Sequence, residues 1–146
     1  MVYLCNLLED AGPEAAERRV KGKRTDFAGR VCPVARTLGV VGDPWSLLIV
    51  RDALRGKRRF GEFQKSLGLA KNILSDRLRK LVAEGVLEVQ PSPEGGSRSC
   101  YVLTEKGERL KGVVAALAQW GERFTVAPDE IPQAVGVAVA AESPRD

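Results

Sequence analysis

Apolar residues come in short bursts at three- and four-residue spacing, separated by glycine and proline. That pattern predicts small helices joined by tight turns. Pro33 suits the opening of a first helix running through Val34, Ala35, Leu38 and Val41, with Gly39 or Gly42 as its stop. Asp43-Pro44 restarts the chain, with Asp43 as the N-cap and Pro44 in the first turn. From Trp45 to Leu54 the chain is broadly apolar, which predicts a central buried helix ended by Gly56. Phe60, Phe63 and Leu67 share one face of a short helix over Arg59–Leu67, and Gly68 closes it. A further helix runs from Lys71 to Glu84 and stops at Gly85. Leu74, Leu78, Leu81 and Val82 gather on one of its sides, and Asn72, Ser75, Asp76 and Arg79 on the other.

The period then changes to two. Val86–Gln90 and Ser99–Leu103 read as strands around a dense turn signal, Pro91-Ser92-Pro93-Glu94-Gly95-Gly96-Ser97. Tyr101 and Leu103 fall on one face of the second strand and Val102 on the other, with Cys100 beside outward-pointing positions. Thr104-Glu105-Lys106-Gly107 caps one long helix carrying Leu110, Val113, Val114, Leu117, Trp120, Gly121 and Phe124. Two helices joined by a tight Gly-containing turn, then a hairpin and a helix, predict a mainly α fold with a small β-hairpin wing: a winged helix-turn-helix, α+β in class. Residues 1–30 read as an arm, 31–124 as the folded domain, and 125–146 as a small-residue tail.

The chain has 146 residues, 44% of them hydrophobic, enough for one real core. There is no histidine, which removes Ser-His and Cys-His nucleophile pairs and the usual imidazole base. Cys5, Cys32 and Cys100 lack metal-ligand spacing, so no metal or cofactor is expected. Asp129-Glu130 lies in a Pro-bearing tail without pocket-forming context, and no phosphate-cradling glycine loop occurs. An enzyme is therefore disfavoured. With no apolar run of membrane-spanning length and no secretory pattern at its start, the expectation is a cytoplasmic protein away from membranes.

Charge sharpens the picture. Between Arg51 and Lys80 lie ten basic residues and three acids, a local excess of seven, while the whole chain carries only +4. Such a concentration is the footprint of a polyanion-binding face. Lys71, Asn72, Ser75 and Arg79, with Arg77 at their edge, would meet base edges from the second helix of the motif. Asp76 would accept from cytosine or orient Arg79 or Lys80. Lys57, Arg58 and Arg59 would hold phosphates ahead of the first helix of the motif, and Arg98 would reach the backbone or minor groove from the wing.

Five segments in order then carry a resemblance: Cys32–Leu38, Gly42–Asp52, Arg59–Phe63, Leu74–Leu81 and Tyr101–Gly107. Over about residues 31–124 the chain resembles the HxlR-type branch of winged-helix regulators, related to the MarR type. Gly42-Asp43-Pro44-Trp45 departs from the Gly-Gly-Lys-Trp common in that family, losing a basic residue at a helix start. The resemblance implies a homodimeric transcription factor, with repression the expected effect, on a pseudo-palindromic operator in double-stranded DNA. It also implies that a cysteine in the position of Cys32 can sense oxidants or electrophiles. The bland alternative there is a small packed hydrophobe.

Side-chain volume supports pairing independently, because the last helix has more apolar surface than one small domain can cover. Val34, Leu38 and Val41, with Leu110, Val113, Val114, Leu117, Trp120 and Phe124, are the expected dimer contacts through the terminal helices. A small-molecule effector remains open. So does a winged helix serving protein–protein contact without operator binding.

Overall fold

The computed structural model describes residues 27, 29–96, 98–127 and 129. Most of the arm, most of the tail and Cys5 lie outside them. The chain divides after Val40 into two compact units. Helix α1 spans Pro33–Val41, all but its last residue in the first unit, and begins at the proline as the sequence predicts. Arg36 reaches back through Nε to the Arg30 carbonyl at 2.5 Å, and the Arg30 guanidinium lies 5.9 Å from the centre of the Phe27 ring.

The second unit contains α2 (Ser46–Leu54), α3 (Phe60–Leu67), α4 (Lys71–Ala83), β1 (Leu87–Pro91), β2 (Ser99–Leu103), α5 (Glu105–Glu108) and α6 (Lys111–Phe124). The hub is α2, which packs against α3, α4, α6 and β2. Its broadly apolar sequence is what a helix covered on several sides requires. Ile49, Val50, Phe63, Leu74, Leu78, Leu81, Val86 and Leu87 form the buried core around it. Among the described residues no helix is long and apolar enough to cross a membrane.

The turn between α3 and α4 follows from three residues. Gly68 takes the left-handed conformation (φ 65°), Leu69 is buried beneath it, and Gln64 Nε2 donates to the Leu69 carbonyl at 3.3 Å. Gly68 accepts that φ at little steric cost, which a side chain would not. After α4 the strands pair antiparallel, Leu87 opposite Leu103 and Val89 opposite Tyr101. The Tyr101 amide donates outward to the Arg58 carbonyl at 2.8 Å, stitching the chain before α3 to the outer edge of β2.

Three details differ from the sequence reading. The first strand begins one residue later, at Leu87, and Val86 is core. Cys100 is buried instead of lying beside the solvent face, because β2 packs against α2. The expected single helix after Thr104 is two. The α5 ladder tightens where the Leu110 amide bonds three residues back to Gly107, and α6 then starts at Lys111.

The base of the wing is fastened tightly to α5. Thr104 caps the helix by accepting from the Gly107 amide at 3.1 Å, and its hydroxyl donates to the Gly85 carbonyl at 2.5 Å. Its own amide donates to the Val86 carbonyl at 3.1 Å. A Cβ on Gly107 would stand 2.1 Å from that same Val86 oxygen, so only glycine fits there.

Candidate nucleic-acid interface

Helix α4 is fixed from behind and open in front. Leu74, Leu78 and Leu81 are completely buried, whereas Lys71, Asn72, Asp76 and Arg79 are exposed and Ser75 is half-buried. Arg79 Nη1 lies 3.3 Å from Asp76 Oδ1 one turn back, an ion pair open to solvent. Ala70, at the N-cap, has no side-chain acceptor for the first amides of the helix. Those donors, together with Lys71, make the end of α4 attractive to an anion.

Arg58 and Arg59 sit at the entrance to α3, and Glu62 fixes their backbone there. Its Oε2 accepts from the amides of Arg58 (2.8 Å) and Arg59 (2.9 Å). Those two amides hold the Glu62 carboxyl below the ordinary range. The Arg58 side chain is exposed. The Arg59 guanidinium pairs with Glu94 in the turn of the wing. Arg98, also on the wing, is exposed.

Two expected DNA contacts are engaged inside the protomer. Arg77 turns its Nε toward Asp43 Oδ1 at 3.5 Å and is mostly covered. Lys57 Nζ lies 3.9 Å from the fully buried Asp52, whose other oxygen receives Arg51 at 2.9 Å. A buried carboxylate is tolerated only when cations and hydrogen bonds compensate for lost water. Part of the positive charge of residues 51–80 therefore compensates Asp43 and Asp52 and is only partly open to solvent. Lys80 is half-buried near the end of α4.

Asp43 caps α2 as its sequence position suggests, although the helix itself is assigned from Ser46. Its Oδ1 accepts from the amides of Trp45 and Ser46, each at 3.1 Å, and its Oδ2 from the Ser46 hydroxyl. Burial pushes this carboxyl up, but the Ser46 hydroxyl, the two amides and Arg77 outweigh it, and the net direction is down. The same carboxylate thus starts α2 and braces α4.

The expected pairing residues divide. Val34 and Leu38 on α1, and Val113, Leu117, Trp120 and Phe124 on α6, are exposed, and Leu110 is half-buried. Trp120 and Phe124 touch each other, ring centres 5.4 Å apart. Val41 and Val114, in contrast, are buried in the protomer, which corrects their assignment as dimer contacts. Helical spacing finds an apolar stripe but does not say which edge of it the protomer already covers. Cys32 is half-buried just ahead of α1.

Residues whose roles were missed in the sequence are Glu62, Glu94, Arg51 and Asp52. Nothing local links Glu94 to Arg59. Glu62 had a signal, a glutamate three residues after the N-cap, as in a capping box.

A helix pair with a glycine turn, an exposed polar face on its second helix and a hairpin stitched alongside defines a winged helix-turn-helix protein. Its relatives agree. The chain belongs to the HxlR-like helix-turn-helix family, whose model matches residues 40–129. The HTH-type transcriptional regulator Rv3095 of Mycobacterium tuberculosis, itself uncharacterized, is 40% identical over 99 residues. That match takes in 68% of this chain and 63% of the relative, so the chain spans less than two thirds of that protein's length. The crystal structure of PA1607, a candidate transcription factor, superposes with a TM-score of 0.71 at 56% identity, over 75% of this chain and 76% of that one. The redox regulator HypR in its reduced form gives 0.58 at 31% identity, over 63% and 92%.

Proposed function

We propose that the protein is a homodimeric transcription regulator that reads a pseudo-palindromic operator in double-stranded DNA, with repression as its effect. The carrying observation is α4: its apolar side is sealed in the core, and its opposite side offers Lys71, Asn72, Ser75 and Arg79. Asn pairs well with adenine and Arg with guanine in the major groove. Arg58, Arg59 and Arg98 set the register on phosphates and Lys80 adds positive potential at the rim, while Lys57 and Arg77 are held by Asp52 and Asp43. The exposed apolar residues of α6 supply the pairing surface.

Selection of bound sequences from random duplexes tests this reading directly. The expected result is a two-fold motif with half-sites about 10 base pairs apart or a multiple of that. No enrichment would favour the protein-contact alternative. Salt-titrated binding separates the roles: Arg79→Ala should weaken the selected site by about 1–3 kcal/mol more than random DNA. Arg58→Ala should weaken both alike and lower the salt slope by about one. Equal losses for the two variants would overturn the assignment.

A thiol response is a second reading, supported by HypR's description as a redox regulator and by the place of Cys32 before α1. A helix N-terminus favours the thiolate. Diamide should release DNA from the wild type and not from Cys32→Ser. Identical behaviour of the two would remove the idea.

A further inference from the structure

Helix α3 and the wing border an open groove of about 620 Å³, lined by Arg59, Phe60, Glu62, Lys65, Arg98 and Tyr101. That volume falls within the range of small-ligand sites, roughly 300–1,000 Å³. Phe60 and Tyr101 are half-buried, so each ring keeps part of its surface open. Gly61 adds no side chain, and the space where its Cβ would stand is open to 4 Å. The lining holds three cations, Arg59, Lys65 and Arg98, and one acid, Glu62, with Glu94 paired to Arg59 from outside it. Glu62 is committed to the two backbone amides before α3, so it is a poor rival for a ligand's counter-ions.

One of these cations already has a carboxylate partner from outside the lining. Arg59 holds the Glu94 carboxylate. Glu94 is exposed, and Gly95 and Gly96 follow it with positive φ. An ion pair so open to water is weak, and a competing carboxylate can replace it. A planar guanidinium matches a carboxylate through two parallel hydrogen bonds. An apolar wall with two rings beside that cation suits a flat hydrophobic body.

We propose that this groove binds a planar aromatic carboxylate. Its ring lies against Phe60 and Tyr101, and its carboxylate takes the place of Glu94 on Arg59. Lys65 and Arg98 add favourable charge. Ligand binding stands on the groove alone. Its consequence for DNA rests on the operator reading above: Arg59 and Arg98 are assigned to phosphates, so ligand and duplex exclude one another.

The test uses the full chain with 2-naphthoate as the probe, and 2-naphthamide and inorganic phosphate as comparisons, followed by calorimetry and protein-detected NMR. Naphthoate should bind saturably, and naphthamide and phosphate each roughly ten-fold more weakly, since each lacks one half of the recognition. Arg59→Gln should weaken naphthoate by a similar factor. Glu94→Gln should tighten it about three-fold by removing the internal competitor, a gain that damage to the fold would not produce. Shifts should centre on Phe60 and Tyr101.

Naphthoate binding no better than naphthamide, a Glu94→Gln variant with unchanged or weaker affinity, or shifts centred on α6 would overturn the proposal. So would phosphate binding as well as naphthoate. Competition is measured separately with a random duplex. A protein that binds naphthoate as described but no DNA would refute the operator reading and leave the groove assigned. One that binds both together would refute only the exclusion.

Discussion

Helices α4 and α6 are nearly the same length, 13 and 14 residues, and both carry an apolar stripe. Their fates differ. Leu74, Leu78 and Leu81 of α4 are sealed completely, whereas α6 buries Val114 and Ala115 and leaves Trp120 61% and Phe124 63% exposed. The first helix is finished within one protomer, and its free side is polar apart from Ile73. The second is unfinished. Large aromatic residues left open in a cluster mark a surface made for a partner, and under the proposed function that partner is a second copy.

Substitutions can pull this contrast apart. Leu78→Ala should cost about 3–4 kcal/mol of folding stability in urea melts, because a sealed leucine leaves a cavity when truncated. A loss below about 1 kcal/mol would mean α4 is less firmly seated than its burial implies. Leu117→Ser with Trp120→Ser should leave the fold of the protomer intact by circular dichroism. It should weaken self-association by about 3 kcal/mol in analytical ultracentrifugation, since exposed aromatics are typical hot spots. A variant that associates as well as the wild type would show that α6 is not the pairing surface.

Asp43→Asn should be milder, about 1–2 kcal/mol, by weakening the cap of α2 and the brace to Arg77. It also carries a pH signature. The carboxyl of Asp43 is lowered in the folded protein, so its contribution is complete above the ordinary carboxylate value of about 3.9. That contribution is lost as the pH falls below this value through the folded one. The wild type should therefore lose stability more steeply than the asparagine variant in acid-range melts. Parallel curves would contradict the assigned role. Smallest of all is Gly68→Ala, expected to cost about 1 kcal/mol through its left-handed backbone and to move α3 against α4 little.

Most elements were legible because glycine and proline punctuate them: Pro33, Gly68 and Gly85 stand at the ends where the structure starts or stops a helix. The break before Lys111 was not, since no proline marks it and the apolar spacing runs on through Leu110. Candidate surface residues such as Arg79 and Arg58 were found from charge and helical phase alone. Long-range pairings were beyond that method. Arg77 with Asp43 and Arg59 with Glu94 each join residues more than thirty positions apart, and nothing local announces them. The same blindness left Val41 and Val114 among surface residues, because phase names a stripe and only packing shows which edge is covered.

The tight seat of Gly107 beneath the Val86 oxygen has a mechanical corollary. With no side chain to act as a spacer, α5 and the foot of the hairpin behave as one stiff bracket. In a symmetric pair joined along α6, the distance between the two reading heads would be a rigid dimension of the assembly. The spacing of a tolerated binding site would then depend on a residue that touches neither the nucleic acid nor the other subunit.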